Sequence, residues 1–168
     1  MDSGRVLQAS HAGVEVLRYV GDIRYTLAPS LERFLDDVFA RTTPVGFVVD
    51  LREVGTIDST NLGLLVRITK RMAAGGGPQL TVISGQEDID ELLGALGLDE
   101  VFEIIRDDGN EPGAEQEVPV ETPQAADVAR TVLAAHRLLM ELNEHNHEQF
   151  RDVVALYEQQ AVGVLDSL

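Results

Sequence analysis

From Val48 to Met72 the chain reads VVDLREVGTIDSTNLGLLVRITKRM, and three textures follow one another in it. A run dense in β-branched residues closes on Asp50-Leu51, a polar knot follows at Asp58-Ser59-Thr60-Asn61, and then apolar residues recur at helical spacing. The first texture predicts a central strand covered on both faces, a kind that is usually parallel to its neighbours. The third places Leu62, Leu65, Val66, Thr69 and Met72 on one helix face, stopped by Gly75-Gly76-Gly77-Pro78. The knot between them decides function, because a serine there can be a nucleophile, a helix cap or a phosphate acceptor.

Working outward, the run from Gly13 alternates Val14, Val16, Tyr19 and Ile23 with polar residues, interrupted by Gly21-Asp22, which predicts a strand, a turn and a second short strand. APSLERFLDDVFA then predicts a helix that starts at Pro29 or Ser30 and carries Leu31, Phe34, Leu35, Val38 and Phe39 on one side. Beyond the glycine stop, QLTVIS predicts a short buried strand. GQEDIDELLGALGLDEVF predicts a helix closed by Gly97, and VFEII a last strand or extended edge. Strands alternating with helices imply an α/β fold, a sheet with helices packed on it and right-handed crossovers.

Composition changes at residue 107. Residues 107–125 hold three prolines, several glutamates and few large apolar groups, as a self-repelling linker would. The expected organisation is a domain over 1–106, an acidic linker over 107–125 and a helical extension over 126–168. In the extension Val128, Val132, Ala135, Leu139 and Leu142 step by four and three. Either one long helix carries a polar layer there, or NEHNH bends the chain into a hairpin; the hairpin is preferred. The stripe suits packing on the chain's own domain, a dimer through the C-terminal helices, or docking on a response regulator.

At 168 residues the chain has length for one ordinary domain and an appendage, and a net charge of -16 disfavours nucleic-acid and anionic-membrane partners. There is no cysteine, so disulfides, thiol catalysis and zinc-thiolate sites are excluded. No apolar run approaches the ~20 residues of a membrane span, and MDSGRVLQAS lacks a long apolar segment, which points to the cytoplasm. Catalysis by Ser59 would need a base and an oxyanion hole. His11 sits in a polar N-terminal segment, His136, His145 and His147 lie beyond the linker, and no G-x-S-x-G elbow occurs. No cofactor or metal is expected either, since His145 and His147 at a spacing of two point to different sides of a helix.

Asp58, Ser59 and Thr60 are all good helix-start residues, but capping explains one of them. With Asp58 as the cap, Ser59 falls in the first turn with its hydroxyl directed outward at the positive end of the helix dipole, where the fold tolerates a phosphate.

The strings VVDLREVGTIDSTNLGLLVRITKRMAAGGGPQLTVI and DIDELLGALGLDEVFEI resemble the STAS domain of bacterial anti-sigma factor antagonists, over about residues 5–106. That family's usual form is an apolar strand ending in Asp-Leu, followed by Ile-Asp-Ser-Ser-Gly-Leu-Gly opening a helix. Here Thr60 replaces the second serine and keeps a hydroxyl, while Asn61 replaces a glycine and adds a side chain beside the site. The resemblance implies a STAS-type mixed sheet, phosphorylation at Ser59 and a partner face formed by Asp58, Ser59, Thr60, Asn61 and Leu62. It also implies a non-catalytic partner switch that regulates transcription. The unphosphorylated protein would bind an anti-sigma factor that is also its serine kinase, and a PP2C-type phosphatase would reset it. The alternative is a STAS scaffold or ligand-sensing module in which Ser59 is only a cap and the helical tail mediates interactions.

Overall fold

The computed structural model describes residues 3–106 and 114–166. Strand β1 (Arg5–His11) turns through Ala12 and Gly13, both at positive φ (51° and 84°), into the antiparallel strand β2 (Val14–Ile23). Two positive-φ residues match the right-handed twist of a tight hairpin. Helix α1 (Ala28–Arg41), strand β3 (Gly46–Ile57), helix α2 (Ser59–Ala74), strand β4 (Thr81–Ser84), helix α3 (Glu87–Ala95) and strand β5 (Glu103–Arg106) follow. Strand β6 (Gln116–Glu117) and helices α4 (Ala125–Met140) and α5 (Glu144–Asp166) complete the chain. The sheet order is β5-β4-β3-β2-β1-β6; β2 to β5 run parallel, and β1 is antiparallel to both its neighbours. This is the mixed α/β sheet with helices expected from the sequence, extended by two C-terminal helices.

Three readings change. Gly21-Asp22 is not a turn. It sits in a register shift within one continuous β2, and the reversal lies earlier, at Ala12-Gly13, after a first strand whose residues do not alternate strictly. Secondly, β3 is central but helices cover one face of it. Leu17, Tyr19, Phe47, Val49 and Leu51 are all buried, and Phe47 stacks on Phe39 of α1 at 6.0 Å between ring centroids. The alternate positions hold half-buried Val48 and buried Asp50, which pairs with half-buried Arg52 at 2.8 Å. Arg18, beside Asp50 in the register, pairs with Glu53 and Glu115. An apolar run reads as two-sided burial until its polar positions are assigned to one face.

Thirdly, the acidic segment is tied down where it is described. Val118 is buried and donates its N–H to the Val6 carbonyl at 2.8 Å, and Glu115 accepts from Arg18. Residues 107–113 of the expected linker lie outside the described residues. Helix α1 starts with Pro29 in its first turn, while Ser30 is buried and accepts from the Glu121 N–H at 3.1 Å, so the serine holds the segment rather than capping the helix.

The extension is a hairpin, reversing over Glu141 to Asn143 just ahead of the His145/His147 stretch. It packs on the domain. Leu139 of α4 and Phe150 of α5 belong to the main core, whereas Ala129, Leu133 and Val154 form a separate cluster between the two helices.

Candidate functional site

Asp58 follows β3 in an extended conformation and caps α2, its Oδ1 accepting from the Asn61 backbone N–H at 3.1 Å. The same oxygen accepts from Asn61 Nδ2 at 2.9 Å. Asn61 is fully buried, so its side chain does not stand beside the site as the sequence suggested but folds back to double the cap, leaving its Oδ1 without a partner among the described residues. The cap satisfies one of the donors that every helix start leaves open and fixes Ser59 as the first helical residue.

Ser59 is half-buried, and its hydroxyl is engaged by another side chain. Its Oγ lies 2.8 Å from Nε2 of His136, a residue 77 positions away on α4. His136 Nδ1 is 2.7 Å from the Val132 carbonyl, which only accepts, so Nδ1 carries the proton and Nε2 accepts from the Ser59 hydroxyl. Burial lowers the His136 pKa, against the opposing pull of the Val132 carbonyl and of Asp58, which keeps the ring neutral as this bond requires. The Phe150 ring of α5 closes the far side, edge-on to the imidazole with centroids 5.2 Å apart.

Thr60 is 3% exposed and Leu62 0%, with Leu62 turned into the core. Of the five residues assigned to a partner face, only Asp58 and Ser59 keep partial exposure. Gly63 explains how α4 comes so near. A Cβ on it would lie 2.7 Å from the carbonyl carbon and the Cβ of Ala135, so the two helices meet backbone to backbone where this glycine stands. The turn of the hairpin is pinned separately, since Asn146 Nδ2 and Asn143 Nδ2 both donate to the Leu96 carbonyl at the end of α3, at 2.9 and 3.3 Å.

The separation of His136 from Ser59 in the sequence argued against a base for the serine; the fold removes that separation. The signal was present, because His136 stands four residues after Val132, on the apolar stripe itself. A serine hydrogen-bonded to a neutral imidazole resembles the first two members of a hydrolytic triad, but here a backbone carbonyl orients the ring and the pair lies inside a helix–helix contact. His145 and His147 are exposed, and no group of three or more His, Asp or Glu among the described residues is arranged to hold a metal ion. No helix among them is long and apolar enough to cross a membrane.

The STAS domain model matches residues 8–109, more than half of the chain. The chain belongs to the STAS domain family. Among solved structures it is similar to an anti-sigma factor antagonist from Mycobacterium paratuberculosis, at 27% identity and a TM-score of 0.54, covering 61% of this chain and 85% of that one. It also shares its fold with the anti-sigma factor antagonist SpoIIAA in its unphosphorylated form, at 12% identity and a TM-score of 0.55, over 61% of this chain and 87% of that one. The protein TM1081 is similar at 23% identity and a TM-score of 0.53, over 59% and 78%. No curated protein matches the chain. The STAS match ends before α4, so the helix that reaches Ser59 lies outside the family unit.

Proposed function

We propose that this STAS protein is an anti-sigma factor antagonist that works by partner switching. In its unphosphorylated state it binds an anti-sigma factor that is also its serine kinase; phosphorylation of Ser59 ends the interaction, and a PP2C-type phosphatase restores it. The observation that carries the reading is Ser59 itself, placed directly after the capping Asp58 as the first residue of α2 in a chain of this family. The 27% identical antagonist supports the choice of partner. The chain performs no chemistry in this scheme and works in the cytoplasm.

The switch is electrostatic. Phosphate adds about 1.5 to 2 negative charges at a helix N-terminus that accommodates anions, so the fold persists while the surface changes. A dianion desolvated in an interface without a matching cation costs several kcal/mol, and each ~1.4 kcal/mol is a tenfold loss of affinity. The test is binding to the anti-sigma factor by calorimetry. Ser59→Ala should bind at least as tightly as wild type, Ser59→Asp more weakly, and phosphoserine at 59 most weakly, with amide-exchange protection of β3 and β4 retained in all of them. Equal affinity of the serine and phosphoserine forms would refute the switch.

A second reading is favoured by the His136 contact: Ser59 as a structural hydroxyl in a STAS scaffold, holding the hairpin in place. Phosphate incorporation separates the two.

A further inference from the structure

The hydroxyl that the switch needs is engaged in cis. Among the described residues, His136 is the side chain bonded to Ser59, and it reaches the site on a hairpin that lies outside the family match. We infer that α4 and α5 form a built-in cover for the start of α2, which holds the face required by the anti-sigma factor kinase and must swing away before Ser59 is bound or phosphorylated. This rests on Ser59 being the phosphoacceptor.

Three features of the hairpin suit a cover that docks on the domain as one unit. The close approach at Gly63 brings the Ala135 backbone against α2, leaving no room for a partner helix or loop while α4 is docked. The Asn146 and Asn143 bonds to Leu96 O hold the turn at a second point, so α4 lies fixed across α2. The hairpin also has its own apolar cluster, Ala129, Leu133 and Val154 with Tyr157, beside the Leu139 and Phe150 contacts that it makes with the main core. Two helices with a cluster of their own have a reason to stay together when they leave the domain.

Docking and phosphate exclude one another. Oγ sits 2.8 Å from a neutral ring nitrogen, with the Asp58 carboxylate at the same helix start. A phosphate on Oγ removes the hydroxyl proton that bonds His136 and sets about 1.5 to 2 negative charges beside the Asp58 carboxylate. The chain therefore has three states: covered, partner-bound and phosphorylated. The apparent affinity for the partner is reduced by the fraction of chains that are open.

The chain has no cysteine, so Ser59→Cys introduces a single thiol whose rate of alkylation by iodoacetamide reads out the cover without any partner. In the full chain this thiol should react about tenfold or more slowly than in Ser59→Cys/Ala135→Glu, where a charge on α4 opposes docking against Gly63. Equal rates in two chains with matching circular dichroism would overturn the inference. A second arm leaves α4 unaltered. Phosphoserine incorporated at 59 should abolish amide-exchange protection across 125–140 relative to the serine form, and retained protection would equally overturn it. Neither arm needs a kinase. If both succeed and the kinase still leaves Ser59 unmodified in Ala135→Glu, the phosphoacceptor reading fails and the cover stands.

Discussion

Gly63→Ala tests the helix contact with one methyl group. The added Cβ would lie 2.7 Å from the carbonyl carbon and the Cβ of Ala135, and closer to its oxygen. To restore carbon–carbon distances of ~3.5–4.0 Å, α4 must move by roughly 1 Å. Overpacking of this kind costs about 1 to 3 kcal/mol. The same substitution favours α2 by about 0.8 to 1 kcal/mol through helix propensity, but that gain is present whether or not the hairpin is docked. The docking equilibrium therefore shifts by the overpacking alone, roughly 5-fold to 150-fold towards the open state. Amide hydrogen exchange resolves the two effects, since α4 protection should fall by that factor while β3 and β4 keep theirs. If α4 protection is unchanged, or if β3 and β4 fall in step with it, the close contact is not what holds the hairpin to the domain.

Asp58→Ala removes the cap, expected to cost about 1 to 2 kcal/mol, and strands the buried Asn61 amide for about 1 to 3 kcal/mol more; Asp58→Asn, which keeps an acceptor, should cost less. Urea unfolding measures both, and a loss of under about 0.5 kcal/mol for the alanine would count against the doubled cap. The pH dependence of docking follows from His136, whose pKa is lowered below its ordinary 6.5 first by burial. A base that is harder to protonate when docked contributes stability that is complete above pH 6.5 and is lost as pH falls through the lowered value. The groups facing it are the Ser59 hydroxyl, the Val132 carbonyl, the Phe150 ring and the Asp58 carboxylate, and of these the Val132 carbonyl and the Asp58 carboxylate oppose the trend. Exchange protection of α4 should weaken on acidification below pH 6.5 in wild type, with the step absent from His136→Gln; a step of the same size in both would show that another group titrates.

How much of this was legible in the sequence follows from the range of the interactions involved. The Asp58 cap, the α2 periodicity and the glycine stop are local, and their spacing alone defines them. The hairpin reversal was likewise readable from the break in the apolar stepping. The first strand was missed because RVLQASH mixes apolar and polar residues without strict alternation, and its partners β2 and β6 determine its state. Polar cover on one face of β3 depended on where Arg18 and Arg52 fall in the register, which no window over a single strand contains. The candidate site divided in the same way. Ser59 and Asp58 stood out by position, whereas their contact with His136 requires knowing that α4 crosses α2 at Gly63. Asn61 and Leu62, counted as surface by analogy, turn inward because the cap and the core claim them.

The most direct measurement is the modification state of one peptide. Trypsin releases Glu53 to Arg67, EVGTIDSTNLGLLVR, which contains Ser59 together with Thr56 and Thr60. In chain isolated from its own cells, mass spectrometry should find this peptide phosphorylated at Ser59, and the phosphate should vanish from it in Ser59→Ala. A peptide that stays unmodified across growth conditions, or one whose phosphate survives Ser59→Ala undiminished, would contradict the account.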